Sequence, residues 1–587
     1  MRIALGVFAG YALIACAHGG GGGHGDDDGD GGTAPATLSI DPPASDLVIM
    51  NGVPAHATFT VTLTLANGTT RNVTADTHFT IGIDSDSATF TANELAINVA
   101  ARTQVTAEYS DWSAHADVTA RVKSVRVNPQ LSPAVVDLFN QPQSMGFAPQ
   151  IKYPPANTVM PRNLGDFEIH WTDAHANNVF EISLHTELSD VRVYVPGGNG
   201  LPPQSSWGAF SASEWLAAVA SANALTFQVR GINTNAIGTV DAAPPVAVQL
   251  SNEVMDGGLY YWAAISPNSI GIFRHDMKKP GQPAEPFLTG DPTQNQCIAC
   301  HVLSRDGTKM AITYQTGANP GLATMVDVAT KGVAPPTTSW NFGTFTPDNA
   351  QFLSVENGKL VVRNATTQAL LATMPTTPAN AWVTHPDLSP DGKMLVYVRP
   401  ATAGTDLDFG VGQLYRRTYD PATYAFGAET PLVMDGKNNF YPSWSPDGKW
   451  ILFTRNASIH AYDDNNSSVW VIRSDGSQAP VELAKANDSL GITNSWARWA
   501  PFAQTLGAAN EPMWWVTMSS KRDFGARLVN TGLPQRAKRA QLWMTPFFPV
   551  RASQGRDPST PAFRLPFQNF DSSNHIAQWT ERVVVIQ

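Results

Sequence analysis

Apolar and polar residues alternate along this chain in short runs with a period of two. FTVTLTLANGTTRNVT sets Phe59, Val61, Leu63 and Leu65 on one side and then reaches Asn67-Gly68. Such alternation makes a strand with one buried face, and Asn-Gly tolerates the positive φ of a tight hairpin, so two paired strands are predicted here. DFEIHWTD, VFEISLH, VRVYV and LTFQVRGI continue the pattern, with Trp171 in the first. They predict a second β-rich unit, interrupted by the helical stretch SASEWLAAVASA.

A repeat follows. SRDG begins at Ser304, TPDN at Thr346, and SPDG at Ser389 and again at Ser445; the aspartates are 42, 43 and 56 positions apart. Steps near 40 to 45 suit one four-stranded propeller blade. Proline presets φ at the second turn position, and Asp-Gly completes the turn. Strand-like KMAITY, KMLVYV and KWILFTR come after the turns, and HPDL and YPSW come before two of them. SWARWAP, MWWVTMSS and AQLWMTPF keep the tryptophans and lose the turn. LYYWAAI, GIFRHDM and EPFLTG lack an inner strand, whereas NHIAQWTERVVVIQ has nothing after it. Unpaired sheet edges are unfavourable, so the last segment is expected to complete the first blade. The expected fold is all-β: a six-bladed β-propeller over residues 256–587, preceded by two β-sandwich-like domains at 35–122 and 123–255.

Composition agrees with a turn-rich β protein. Charged residues make up 15%, with 46 Gly and 43 Pro among 587 residues. The formal net charge is −11 and no Lys/Arg run occurs, which argues against a nucleic-acid partner. MRIALGVFAGYALIAC has the short apolar run of an export signal over residues 1–15. The Gly- and Asp-rich stretch over 16–34 reads as a flexible tether.

Several stretches resemble known families. LIAC resembles the bacterial lipobox, which implies a lipid on Cys16 and a membrane anchor; Ala17 then favours the outer membrane, on its periplasmic face or at the cell surface. LSIDPP, ANGTTRNVT and TAEYSDWSAHADVTARV resemble the second type of bacterial Ig-like domain, usually a spacer or an adhesive module. The second β-rich unit is similar to a fibronectin III sandwich. The turn repeats resemble the WD40-like TolB propeller repeat, which implies the fold but not the partners of TolB.

Only three cysteines occur, and two lie in Cys297-Ile298-Ala299-Cys300-His301. This CxxCH spacing is that of c-type haem attachment: two thiolates take the vinyl groups and the adjacent imidazole takes the iron. A disulfide between Cys297 and Cys300 in an exported protein is the competing reading. Counting from the turns aligns Cys300 with Phe342, His385, Tyr441 and Trp496 on inner strands. His575 is then the first choice for a distal iron ligand and His385 the second. A short likeness to the haem-bearing propeller of the hydrazine synthase α-subunit ends at Arg305, where that family has an iron-ligating Tyr. Three functions stay open. One is a propeller with haem c for electron transfer or redox sensing; the second is a non-enzymatic envelope scaffold for a protein or glycan ligand; the third, least favoured, is an enzyme at the channel mouth using His385 and His575. No residue is assigned a catalytic role.

Overall fold

The computed structural model describes residues 36–202, 204–266, 269–289, 297–315, 322–334, 340–401 and 405–586. The expected signal, the tether and Cys16 lie outside them. Strands dominate, with a few short helices between them.

The first hairpin forms where alternation placed it. Thr60–Thr64 pairs antiparallel with Thr70–Asn72 and with Thr37–Asp41. Asn67 accepts the Thr69 N–H at 2.9 Å, and Gly68 takes φ +83°. Phe59, Val61 and Leu63 are buried, while Leu65, just past the strand, is exposed. SASEWLAAVASA gives the helix Ala212–Val219, started by a capping box between Ser211 and Glu214 that buries Trp215.

One strand, Trp112–Val127, organises the N-terminal half. It pairs antiparallel with Ala101–Tyr109, then parallel with Ala44–Met50, and over Val122–Val127 parallel with Ser189–Pro196. The expected boundary between residues 122 and 123 falls inside this strand. A single sheet therefore carries the chain from the first β-region into the second, and its small inward residues Ala114, Ala116, Val118, Ala120 and Val122 form one continuous buried row.

From Gly258 to Thr580 the described residues form six antiparallel sheets of three to five strands. The inner strands are Cys297–Leu303, Gly343–Phe345, Thr384–Leu388, Asn438–Trp444, Ser495–Leu506 and Ser573–Thr580. Each packs against the next, and Ser573–Thr580 packs against Cys297–Leu303, so the sheets close a ring in the manner of a β-propeller. Ser573–Thr580 also pairs antiparallel with Gly258–Ser266, joining the two ends of this region in one sheet.

The repeated turns share one bonding scheme. Ser304, Thr346, Ser389 and Ser445 each donate the side-chain hydroxyl to the aspartate two residues on, at 2.6–2.8 Å. Each hydroxyl oxygen also accepts the backbone N–H five residues on, at 2.9–3.0 Å. The fourth turn residue has positive φ, taken by Gly307, Asn349, Gly392 and Gly448.

The ring and the N-terminal half meet at a polar junction. His170 accepts the Ala526 N–H at 3.0 Å through Nδ1 and bonds Glu168 at 2.8 Å through Nε2. Glu168 pairs with Arg527, and the Tyr153 hydroxyl accepts the Arg564 N–H at 3.1 Å.

Candidate functional site: the channel of the ring

The inner strands are irregular at one shared level. Pairing slips between Thr384 and Asp387, between Phe440 and Ser443, between Ser495 and Arg498, and opposite Tyr260 and Trp262 on the closing strand. At each slip a non-glycine residue holds positive φ: His385 at 47°, Tyr441 at 52°, Trp496 at 54° and Ile576 at 54°. Such a bulge costs backbone strain and turns a side chain out of the regular alternation. Together with Cys300, and with Phe342 just before its inner strand, these residues are among those that line one cavity of about 30 Å³.

Aromatic rings fill the channel at this level. Phe342 meets His385 edge-on at 4.1 Å, His385 meets Tyr441 at 4.3 Å, and Tyr441 stacks on Trp496 at 3.8 Å and 20°. All four are buried. His385 Nδ1 accepts the Tyr441 N–H at 3.4 Å, so its neutral ring carries the proton on Nε2, which has no partner. The Tyr441 hydroxyl also lacks one. Burial holds His385 well below the usual histidine range and raises the Tyr441 phenol.

Beyond the plug the channel turns polar. Two positions further along the inner strands stand Thr344, Asp387, Ser443, Arg498 and Gln578. They form the floor of a second cavity, about 150 Å³, that opens toward the turns at Pro347, Pro446 and Pro501. Asp387 accepts the Trp444 N–H at 2.7 Å and the Thr344 hydroxyl at 3.2 Å. Burial raises its carboxyl, opposed by Arg498. Among the described residues the Arg498 guanidinium has one hydrogen-bond acceptor, the Ala497 carbonyl at 3.0 Å, and no ion pair. Burial lowers its pKa, opposed by Asp387. The channel is thus blind: an apolar plug at one level and a funnel with charged groups at the next.

Cys297 opens the first of these inner strands, and its side chain lies outside the described residues. Cys300 is half-buried at the plug. His301 is 1% exposed; among the described residues no side chain bonds its ring, and burial pushes it down to about 4, opposed by the Tyr260 backbone. Counting from the turns put His575 near the plug. The bulge at Ile576 shifts the register, so Ile576 faces the cavity, while His575 bonds the Ser573 hydroxyl at 2.8 Å and packs on Trp262 at 5.6 Å.

A buried neutral imidazole such as that of His301 is of the kind an iron ligand needs. The space around it is of another kind. Residues Cys297–Leu303 form an extended strand paired with Lys309–Gln315. The ladder slips between Ile298 and His301, inside the motif. The adjoining cavity of about 30 Å³ has room for about one water, against the several hundred Å³ of a cofactor pocket.

Asp387, Arg498 and Gln578 were not singled out from the sequence. Their signal was the shared offset from the turns: each stands two residues past the plug residue of its own strand.

No family model matches the chain, and no curated protein does. Solved structures are similar over about half of it. A structure described as a TolB of Agrobacterium tumefaciens is 16% identical, with 56% of this chain and 99% of that chain covered and a TM-score of 0.31. The β-propeller domain of the Trilobed protease from Pyrococcus furiosus is 10% identical, covering 55% and 79%, at 0.26. The dihydro-heme d1 dehydrogenase NirN in complex with DHE is 13% identical, covering 52% and 73%, at 0.28.

Proposed function

We propose that this chain is a non-enzymatic binding module of the cell envelope: a six-bladed β-propeller on N-terminal β-domains, held to a membrane through lipid on Cys16, with a ligand seated in the funnel. The observation that carries the reading is the blind channel. A plug of Phe342, His385, Tyr441 and Trp496 denies passage, and the funnel below it converges on a few polar groups. Converging polar groups in a pocket are the usual setting for a ligand. The lipobox-like LIAC supports export, and the Ig-like start supports a spacer between membrane and ring.

The test has two arms. The full chain is produced in a bacterium with the cytochrome c maturation system, and its intact mass and reduced-minus-oxidised spectrum are recorded. A colourless protein without a haem-sized mass gain is expected; sharp reduced bands would replace this reading with the electron-transfer one. In parallel, a library of small metabolites and glycans is screened by thermal shift. Stabilisation by at least one class, lost when Ser443→Trp blocks the funnel, is expected; stabilisation that survives the block would place the binding elsewhere.

A further inference from the structure

Arg498 sits on the funnel floor, partly buried, with Asp387 as an opposing charge but no direct ion pair among the described residues. It lines both the plug cavity and the funnel floor, bonds one carbonyl and forms no ion pair among the described residues. A partly buried guanidinium with one acceptor and no direct ion pair keeps N–H groups open to a ligand. Asp387 stands on the same floor and attracts Arg498 through space without a direct ion pair. Its two oxygens accept one bond each, from the Trp444 N–H and the Thr344 hydroxyl. Arg305 also lines the funnel and acts on Asp387 through space, while it leans toward Glu581 at 3.8 Å and the Pro390 carbonyl at 3.5 Å.

We propose that the funnel is a receptor for small carboxylates with a hydrogen-bond donor on the next carbon, the α-amino and α-hydroxy acid class. This rests on the binding reading above. The carboxylate bonds the open N–H groups of Arg498, whose planar fork matches a carboxylate. The neighbouring amino or hydroxyl group donates to Asp387, which keeps lone pairs free beyond its two present bonds. Gln578, Ser443 and Thr344 complete a polar floor. A phosphate dianion suits the site less, because the Asp387 carboxylate stands on the same floor and like charges repel. The 150 Å³ volume fits a head group of this size and excludes anything bulky; a longer ligand would leave the rest of itself in the proline-rimmed mouth.

The experiment is calorimetric titration of the full chain with L-alanine and L-lactate, each against its carboxamide. The acids are expected to bind and the amides to bind about tenfold or more weakly, the factor for losing a charge-assisted bond. Arg498→Gln should abolish the difference between acid and amide, and Arg498→Lys should keep part of it. Should Arg498→Gln fail to fold, phenylglyoxal labelling of the native chain replaces it: L-alanine must slow modification of Arg498, and its amide must not. Equal binding of acid and amide overturns the proposal, and so does unprotected Arg498. If neutral sugars stabilise the chain through the funnel and the acids do not, the carboxylate inference fails while the binding reading stands.

Discussion

His170 and Gly525 stand so close that a Cβ on the glycine would lie 2.1 Å from His170 Nδ1. The glycine also holds φ +49°, and the next residue, Ala526, donates its N–H to that same nitrogen. The contact joins the N-terminal half to the ring. Gly525→Ala is therefore expected to cost about 2–4 kcal/mol, through steric displacement of a buried hydrogen bond. Equilibrium denaturation measures it. In a double-mutant cycle, His170→Ala should relieve most of the penalty, because the clash then has no partner. A penalty that persists in the double variant would trace the strain to the backbone instead.

Acid should weaken the fold before most carboxylates titrate. Burial pushes His275 and His301 down to about 4 and holds His170 and His385 below their usual range. The unfolded chain takes up protons on these groups near pH 6.5, and the folded chain does not. Stability is thus complete above about 6.5 and falls as the pH drops toward 4, by up to about 1.4 kcal/mol per pH unit for each group. His275 stacks on Phe567 at 3.9 Å and 10°, so phenylalanine should fit its place. The denaturation midpoint of His275→Phe, measured at pH 7.5 and pH 5, should fall less than that of the native chain. An equal fall would remove His275 from the account.

The plug should answer unequally to two substitutions. Tyr441→Phe removes a buried hydroxyl that has no partner, so stability should stay within about 1 kcal/mol or rise. Trp496→Ala removes the ring stacked on Tyr441 and should cost about 3–5 kcal/mol. Thermal melts of the two variants check this. A large loss in Tyr441→Phe would mean that the hydroxyl bonds a water held in the cavity.

A chain ending at Ser572 lacks the strand that pairs with Gly258–Ser266. Two sheet edges are then left open, and the shortened chain is expected to aggregate rather than melt cooperatively. Size-exclusion chromatography and far-UV circular dichroism measure both. A monomeric, cooperative product would show that the ring holds without its closing strand.

Local chemistry was legible in the sequence, and tertiary pairing was not. Ser389-Pro390-Asp391-Gly392 dictates its own turn, because the hydroxyl, the carboxylate and the positive φ all act within five residues. The pairing of NHIAQWT with LYYWAAI followed from the need to cover two edges. CxxCH could be read for its reactive groups but not for its conformation, since it pairs with Lys309–Gln315 through a ladder that slips between Ile298 and His301. Which residue of the closing strand faces the plug could not be counted, because counting assumes a regular ladder and the bulge at Ile576 depends on the partner strand. Arg498 lay inside a run whose tryptophans suggested packing. Its importance comes from what is missing around it, and no stretch of sequence records that.

Trp112–Val127 has a mechanical consequence. Ala44–Met50 runs parallel to its middle across seven paired residues, and Ser189–Pro196 runs parallel to its far end across six. Tension between the segment before Ala44 and the ring beyond Gly258 would load these ladders lengthwise. The rungs would have to break together rather than one after another as in an opened zipper. Whatever pulls on the ring would find the N-terminal half to be a stiff strut.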